Sequence, residues 1–189
     1  MNLSKRALAL TVALFLTASH LSAQSINLPA TYLENFELQT NTIMVRGFSL
    51  IGSVNLGNST VAIHANEAND VTHSQKAYGL VVDASRPAGD SGEPSRIFLA
   101  VDYDELDSLA NALEYISKVT WGVTQLNGFE ASYKTKSGFQ VIAHSDRRQQ
   151  TVETFIQFAD SPRIPASSDQ LQQIRSLVTQ AKSTLDSLK

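Results

Sequence analysis

Along the chain, apolar and polar positions change their rhythm several times, and each change predicts an element. Residues 42–54 (TIMVRGFSLIGSV) are rich in β-branched and large apolar side chains, which predicts a strand, with a bulge near Gly47. A turn at Leu56-Gly57-Asn58 follows, and then Val61, Ile63 and Ala65 alternate with Ala62, His64 and Asn66. A period of two is that of a strand with one face on a core. Residues 77–84 and 96–103 repeat the pattern on either side of 85–95, where Pro87, Gly89, Asp90, Gly92 and Pro94 predict a loop. In 105–119 the rhythm becomes helical: Leu106, Leu109, Ala110, Leu113 and Ile116 make one apolar stripe.

The second half repeats the first. Strands are predicted at 129–136, 139–144 and 151–159, with a hairpin turn at Lys136-Ser137-Gly138, a polar connection over 146–150 and a short extended piece at 163–166. A second helix over 168–188 carries the stripe Leu171, Ile174, Val178, Ala181 and Leu185. The predicted fold class is α+β: mainly antiparallel sheet with two amphipathic helices, arranged as two pseudo-repeated units of four strands closed by a helix, over 41–120 and 127–189. Leu106, Leu109, Leu113, Ile116, Leu171, Ile174 and Val178 are the expected core of a single domain spanning 41–189. Residues 24–40, with Tyr32, Leu33, Phe36 and Leu38, are expected to form one short amphipathic turn or an arm docked on the body, and no part of the core.

The N-terminus follows different rules. Lys5 and Arg6 precede an unbroken apolar run over 7–18, and the stretch ends Leu21-Ser22-Ala23. That is the layout of a secretory signal peptide, expected to span residues 1–23. The apolar run is about half of the roughly 20 residues a spanning helix needs, so export without a membrane anchor, to the periplasm or the outside of a bacterial cell, is the expectation. Two of the 15 basic residues leave with that segment while all 18 acidic ones stay, so the formal charge falls from −3 to −5. An acidic chain with one adjacent basic pair, Arg147-Arg148, makes nucleic acid a poor partner. With no cysteine among 189 residues, thiol chemistry, disulfides and thiolate metal sites are excluded.

Few residues suggest chemistry. Gly89-Asp90-Ser91-Gly92-Glu93-Pro94 resembles the nucleophile segment of chymotrypsin-type proteases, with Glu93 where that family has glycine. Too little chain precedes Ser91 to build the barrel that supplies its histidine and aspartate. Asp102-Tyr103-Asp104-Glu105-x-Asp107 is the densest acidic cluster. Asp102 and Asp104 are candidate metal carboxylates, although Asp104 also suits the N-cap of the following helix, with Asp107 completing a capping box. His64, His73 and His144 lack the i, i+4 helical spacing of a zinc protease. Lys134, Lys136, Arg147 and Arg148, near Tyr133 and Phe139, form a candidate site for an anion or polysaccharide. Asn58-Ser59-Thr60 is a glycosylation sequon read here as a turn. No phosphate-binding loop, dinucleotide fingerprint or nucleophile elbow occurs, and no cofactor is predicted.

The segments VDYDELDSLANALEYISKV and FEASYKTKSGFQV resemble those of an uncharacterised group of exported bacterial proteins, a resemblance that covers most of the chain from Thr42 and implies no activity. At the level of architecture, strand-rich units each closed by a helix are similar to Whirly and Pur-alpha proteins, and that similarity implies single-stranded nucleic-acid binding. The acidic charge does not support it. The expected function is that of an exported, non-catalytic binding or envelope-associated module with a protein or envelope partner. The alternatives are a periplasmic hydrolase with a metal held by Asp102 and a histidine, and a single-stranded nucleic-acid binder.

Overall fold

The computed structural model describes residues 31–86, 95–146 and 150–189. The expected signal peptide, the protease-like segment 89–94 and the pair Arg147-Arg148 lie outside these residues. Eight strands form two four-stranded antiparallel sheets, each a simple meander. Sheet A comprises β1 (Met44–Leu56), β2 (Ser59–Asp70), β3 (Gln75–Arg86) and β4 (Ser95–Asp102). Sheet B comprises β5 (Glu130–Lys134), β6 (Phe139–Asp146), β7 (Thr151–Phe158) and the two-residue β8 (Ile164–Pro165). The helices are α1 (Tyr32–Glu37), α2 (Leu106–Lys118) and α3 (Ser168–Asp186). The α+β class and the two four-strand-plus-helix units are as the periodicities predict.

The register shows why alternation was legible. Val61 lies opposite Val54 and Ala84, and Ile63 lies opposite Gly52 and Val82. These residues put an apolar surface on one face, which must be covered by another element. The covering is exchanged between the units: α3, at the end of the second, packs on β1, β2 and β3, whereas α2, at the end of the first, packs on β5 and β6. The two helices also pack on each other. One continuous core results. It unites Val61, Ile63, Leu80 and Val82 of sheet A with Phe139, Val141, Ile156 and Phe158 of sheet B around the helix stripes, and all seven expected core residues of α2 and α3 are buried. The expectation that each helix closes its own sheet is corrected accordingly.

Three local expectations are also corrected. The bulge of β1 lies between Leu50 and Gly52, not near Gly47. Leu177 of α3 crosses the strand there, and a Cβ at Gly52 would lie 2.7 Å from its Cδ2, so the strand distorts where the helix crosses it. The first helix of the acidic run opens with a 3₁₀ turn, Tyr103–Glu105, capped by Asp102 and Glu105 in place of Asp104 and Asp107. The backbone N–H of Asp102 donates to Glu105 Oε2 at 3.3 Å.

The third correction concerns 24–40, expected to stay out of the core. Leu33 and Phe36 of α1 are buried and form a second, small core with Ala68, Ala77 and Ala100 on the outer face of sheet A. Gly79 makes that docking feasible: a Cβ there would sit 2.5 Å from the carbonyl oxygen of Val101 and 3.0 Å from Leu33. Only a residue without a side chain admits so close an approach.

Candidate functional site

The end of β4 gathers polar groups from five separate parts of the chain. Asp102 is 2% exposed. Its carboxylate accepts the backbone N–H of Tyr32 and of Leu33, each at 2.9 Å. These are two of the donors that a helix N-terminus leaves without an intrahelical partner, and a carboxylate there also meets the positive end of the helix dipole. The next donor, Glu34 N–H, goes to the hydroxyl of Thr31 at 3.1 Å, completing a capping box. Asp102 therefore pins α1 to the sheet across some seventy residues of sequence.

The same carboxylate takes the Lys136 ammonium at 3.1 Å, and Asp104 takes it at 3.2 Å. The backbone N–H of Lys136 donates to Glu105 Oε1 at 2.9 Å. The hairpin turn of sheet B is thereby tied to the end of sheet A. Hydrogen bonding to Asp102 is the main reason that the Lys136 ammonium is held above its ordinary pKa, against the opposing effect of burial. Residues singled out for opposite chemistries, Asp102 and Asp104 for a cation and Lys136 for an anion, thus neutralise one another. Lys134 stands away from them, on β5 opposite Gln140.

Around this knot lies a cleft of about 480 Å³, lined further by Tyr32, Lys76, Tyr78, Tyr103 and Lys189. Tyr78 donates its hydroxyl to the carbonyl of Leu188 at 3.0 Å, Tyr103 donates to Asp186, and the Lys189 ammonium sits 3.5 Å from the centre of the Tyr103 ring. The C-terminus of the chain thus forms one wall. Lys76 is paired with Glu67 at 2.5 Å. Tyr32 projects outward, 61% exposed. The sequence offered no local signal for these five residues, because strand pairing and the return of α3 bring them together from positions 32 to 189.

Among the described residues, each histidine faces a different carboxylate: His64 Nε2 is 3.7 Å from Asp83, His73 Nδ1 is 2.6 Å from Asp70, and His144 Nδ1 is 4.0 Å from Glu130. Among the described residues, no group of three or more His, Asp and Glu side chains is placed to hold a metal. Asp83 is buried on the outer face of sheet A and binds Arg96 through both oxygens, at 2.9 and 2.5 Å, while the guanidinium lies 4.7 Å from the centre of the Phe98 ring.

Asp70 makes a further clip. Burial alone would raise its carboxyl pKa, but hydrogen bonds from Thr42 and from the ring and backbone of His73, with the charge of His73, lower it from 3.8 to about 2. A folded-state pKa below the unfolded value contributes stability that is present above about pH 4 and lost as pH falls towards about 2. Asp70→Asn is expected to lower the urea midpoint near neutral pH and to make progressively less difference from pH 4 to pH 2, as urea titrations across that range would show. A difference independent of pH would contradict the assignment.

No family model matches the chain, and neither a curated protein nor a solved structure matches it. Among the described residues, no helix is long and apolar enough to cross a membrane.

Proposed function

We propose that this protein is an exported, non-catalytic binding module whose ligand lies in the cleft between Tyr32, Tyr103 and Lys189. The observation that carries this reading is the state of the cleft's ionisable groups. Asp102 is committed to two helix N–H groups and an ammonium, Asp104 to the same ammonium, and the hydroxyls of Tyr78 and Tyr103 to the C-terminal segment, while Glu105 beside the cleft takes two backbone N–H groups. A general base or nucleophile needs a lone pair free to reach its substrate, and these groups are spent on holding the fold. What faces the opening is aromatic surface, lysine and the exposed carboxylate of Asp104, which suits a ligand with apolar ring faces and hydroxyl groups, such as an envelope oligosaccharide. The expected signal peptide supports placing that ligand outside the cytoplasm.

A thermal-shift screen against oligosaccharides, polyanions and divalent metals tests the reading, because a ligand that prefers the folded state raises the melting temperature by mass action. An oligosaccharide is expected to raise it, and Tyr32→Ala, at an exposed position, to remove the rise while leaving the ligand-free melting temperature within about 1 °C. A rise produced by a divalent metal and abolished by Asp104→Asn would contradict it and favour a metal-dependent hydrolase.

A further inference from the structure

Four strand edges border the two sheets; that of β4 is flanked by Arg96 and Asp102, and two of the others carry charges or proline. β5 presents Glu130 and Lys134 along its edge, and β8 contains Pro165. Charges and proline are the usual devices that stop an edge strand from pairing with a neighbour. Residues 44–50 of β1, Met-Val-Arg-Gly-Phe-Ser-Leu, carry no acid, no lysine and no proline. Phe48 is 76% exposed, Leu50 59% and Val45 51%. Among the described residues, the side of this stretch that faces away from β2 has no strand beside it. Every second residue therefore offers an N–H and a C=O with no partner strand.

The stretch has defined ends. Beyond Leu50 the bulge and the crossing of Leu177 interrupt the strand, and further on the side chain of Gln170 already donates to the carbonyl of Asn55 at 2.7 Å. At the other end β1 begins at Met44, and Ile43 before it turns both its backbone groups to the β2–β3 turn, through Thr72 and Val71. Seven residues remain, and the middle one is Gly47.

We infer that this edge pairs antiparallel with the same edge of a second copy, with the two-fold axis at Gly47, joining two A sheets into one of eight strands. The stretch is its own complement in that register. Gly47 meets Gly47 of the partner subunit, so no side chains collide at the axis, and Val45 meets Ser49 of the partner subunit. On the outer face, Arg46 meets Phe48 of the partner subunit, twice by symmetry. Arg46 already uses its guanidinium edge on Glu37, at 3.1 Å, which leaves the flat face of the group to lie on the aromatic ring. Met44 meets Leu50 of the partner subunit, closing an apolar row. A closed two-fold arrangement of this kind consumes the free edge and stops at two copies. The inference goes beyond the cleft and stands without it, since no residue of β1 lines the cleft.

Sedimentation equilibrium of the purified protein, between about 10 and about 500 µM because seven paired residues make a small interface, tests this directly. The mass is expected to rise with concentration to twice that of the single chain. Phe48→Lys, which sets an ammonium against Arg46 of the partner subunit, is expected to hold the protein at the single-chain mass, whereas Phe48→Glu, which sets a carboxylate there, is expected to retain the dimer. Both changes fall at an exposed position, so unchanged melting temperatures at dilution where the single chain prevails serve as the folding control. A single-chain mass across the whole range, a dimer indifferent to Phe48→Lys, or equal loss in both variants would overturn the inference.

Discussion

Asp102→Ala is expected to cost about 2 to 4 kcal/mol, chiefly the penalty of leaving two helix N–H groups without an acceptor, and to lower the melting temperature by roughly 10 °C. The loss has three parts. The N–H groups of Tyr32 and Leu33 lose their acceptor beneath the outer face of sheet A, and each buried, unpaired donor is costly. Lys136 keeps Asp104, a well exposed carboxylate, and loses the buried one. α1 then holds to the sheet chiefly through Leu33 and Phe36 and the contacts of Arg46 with Glu37. Asp102→Asn retains a carbonyl oxygen for one N–H and is expected to fall between wild type and alanine. Chemical denaturation monitored by far-UV circular dichroism would measure all three proteins. A melting temperature unchanged by Asp102→Ala would remove the structural role assigned to this carboxylate.

Leu109→Asp is expected to leave no folded protein at 25 °C. Leu109 is fully buried on the α2 stripe, and a carboxylate there would have no compensating partner. Because α2 packs on sheet B and on α3, and α3 packs on sheet A, damage at this position reaches both units. The exchange of helices predicts one cooperative transition for the whole chain, with sheet A unable to persist once α2 is lost. Circular dichroism and near-UV fluorescence of Leu109→Asp would show it: a native-like spectrum with a sharp transition would refute the assigned helix face.

The elements were legible because their periodicities are strong. Val61, Ile63 and Ala65 report a half-buried strand through alternation alone, and Leu106, Leu109, Leu113 and Ile116 report a helix through their spacing. Which helix covers which sheet was not legible, because a stripe states that a face is buried and not against what. The same limit hid the burial of α1, although a short docked turn there was legible. Leu33 and Phe36 are only two apolar residues in a short stretch, and their burial depends on Gly79, more than forty residues away, and on Asp102.

The acidic run was visible, but its use was not. Asp102 reads as a strand-end carboxylate available for a metal until Tyr32, Leu33 and Lys136 arrive from distant parts of the chain. Asp104 reads as a helix cap because capping is local, yet the 3₁₀ turn shifts the cap back to Asp102, and Asp104 turns instead to Lys136. The cleft's aromatic wall was beyond reach for the same reason, being assembled from Tyr32, Tyr78, Tyr103 and Lys189 only in the folded chain.

Asp102 is committed to the start of α1, and amide hydrogen exchange measures that commitment at the atoms concerned. In the native protein near neutral pH, the N–H of Leu33 is expected to exchange only through opening of the α1 contact, far more slowly than in an unstructured peptide, and Asp102→Asn is expected to speed it markedly. Exchange of the Leu33 amide at the unstructured rate in the wild-type protein would show that the carboxylate is free, and would return Asp102 to the list of groups available for chemistry.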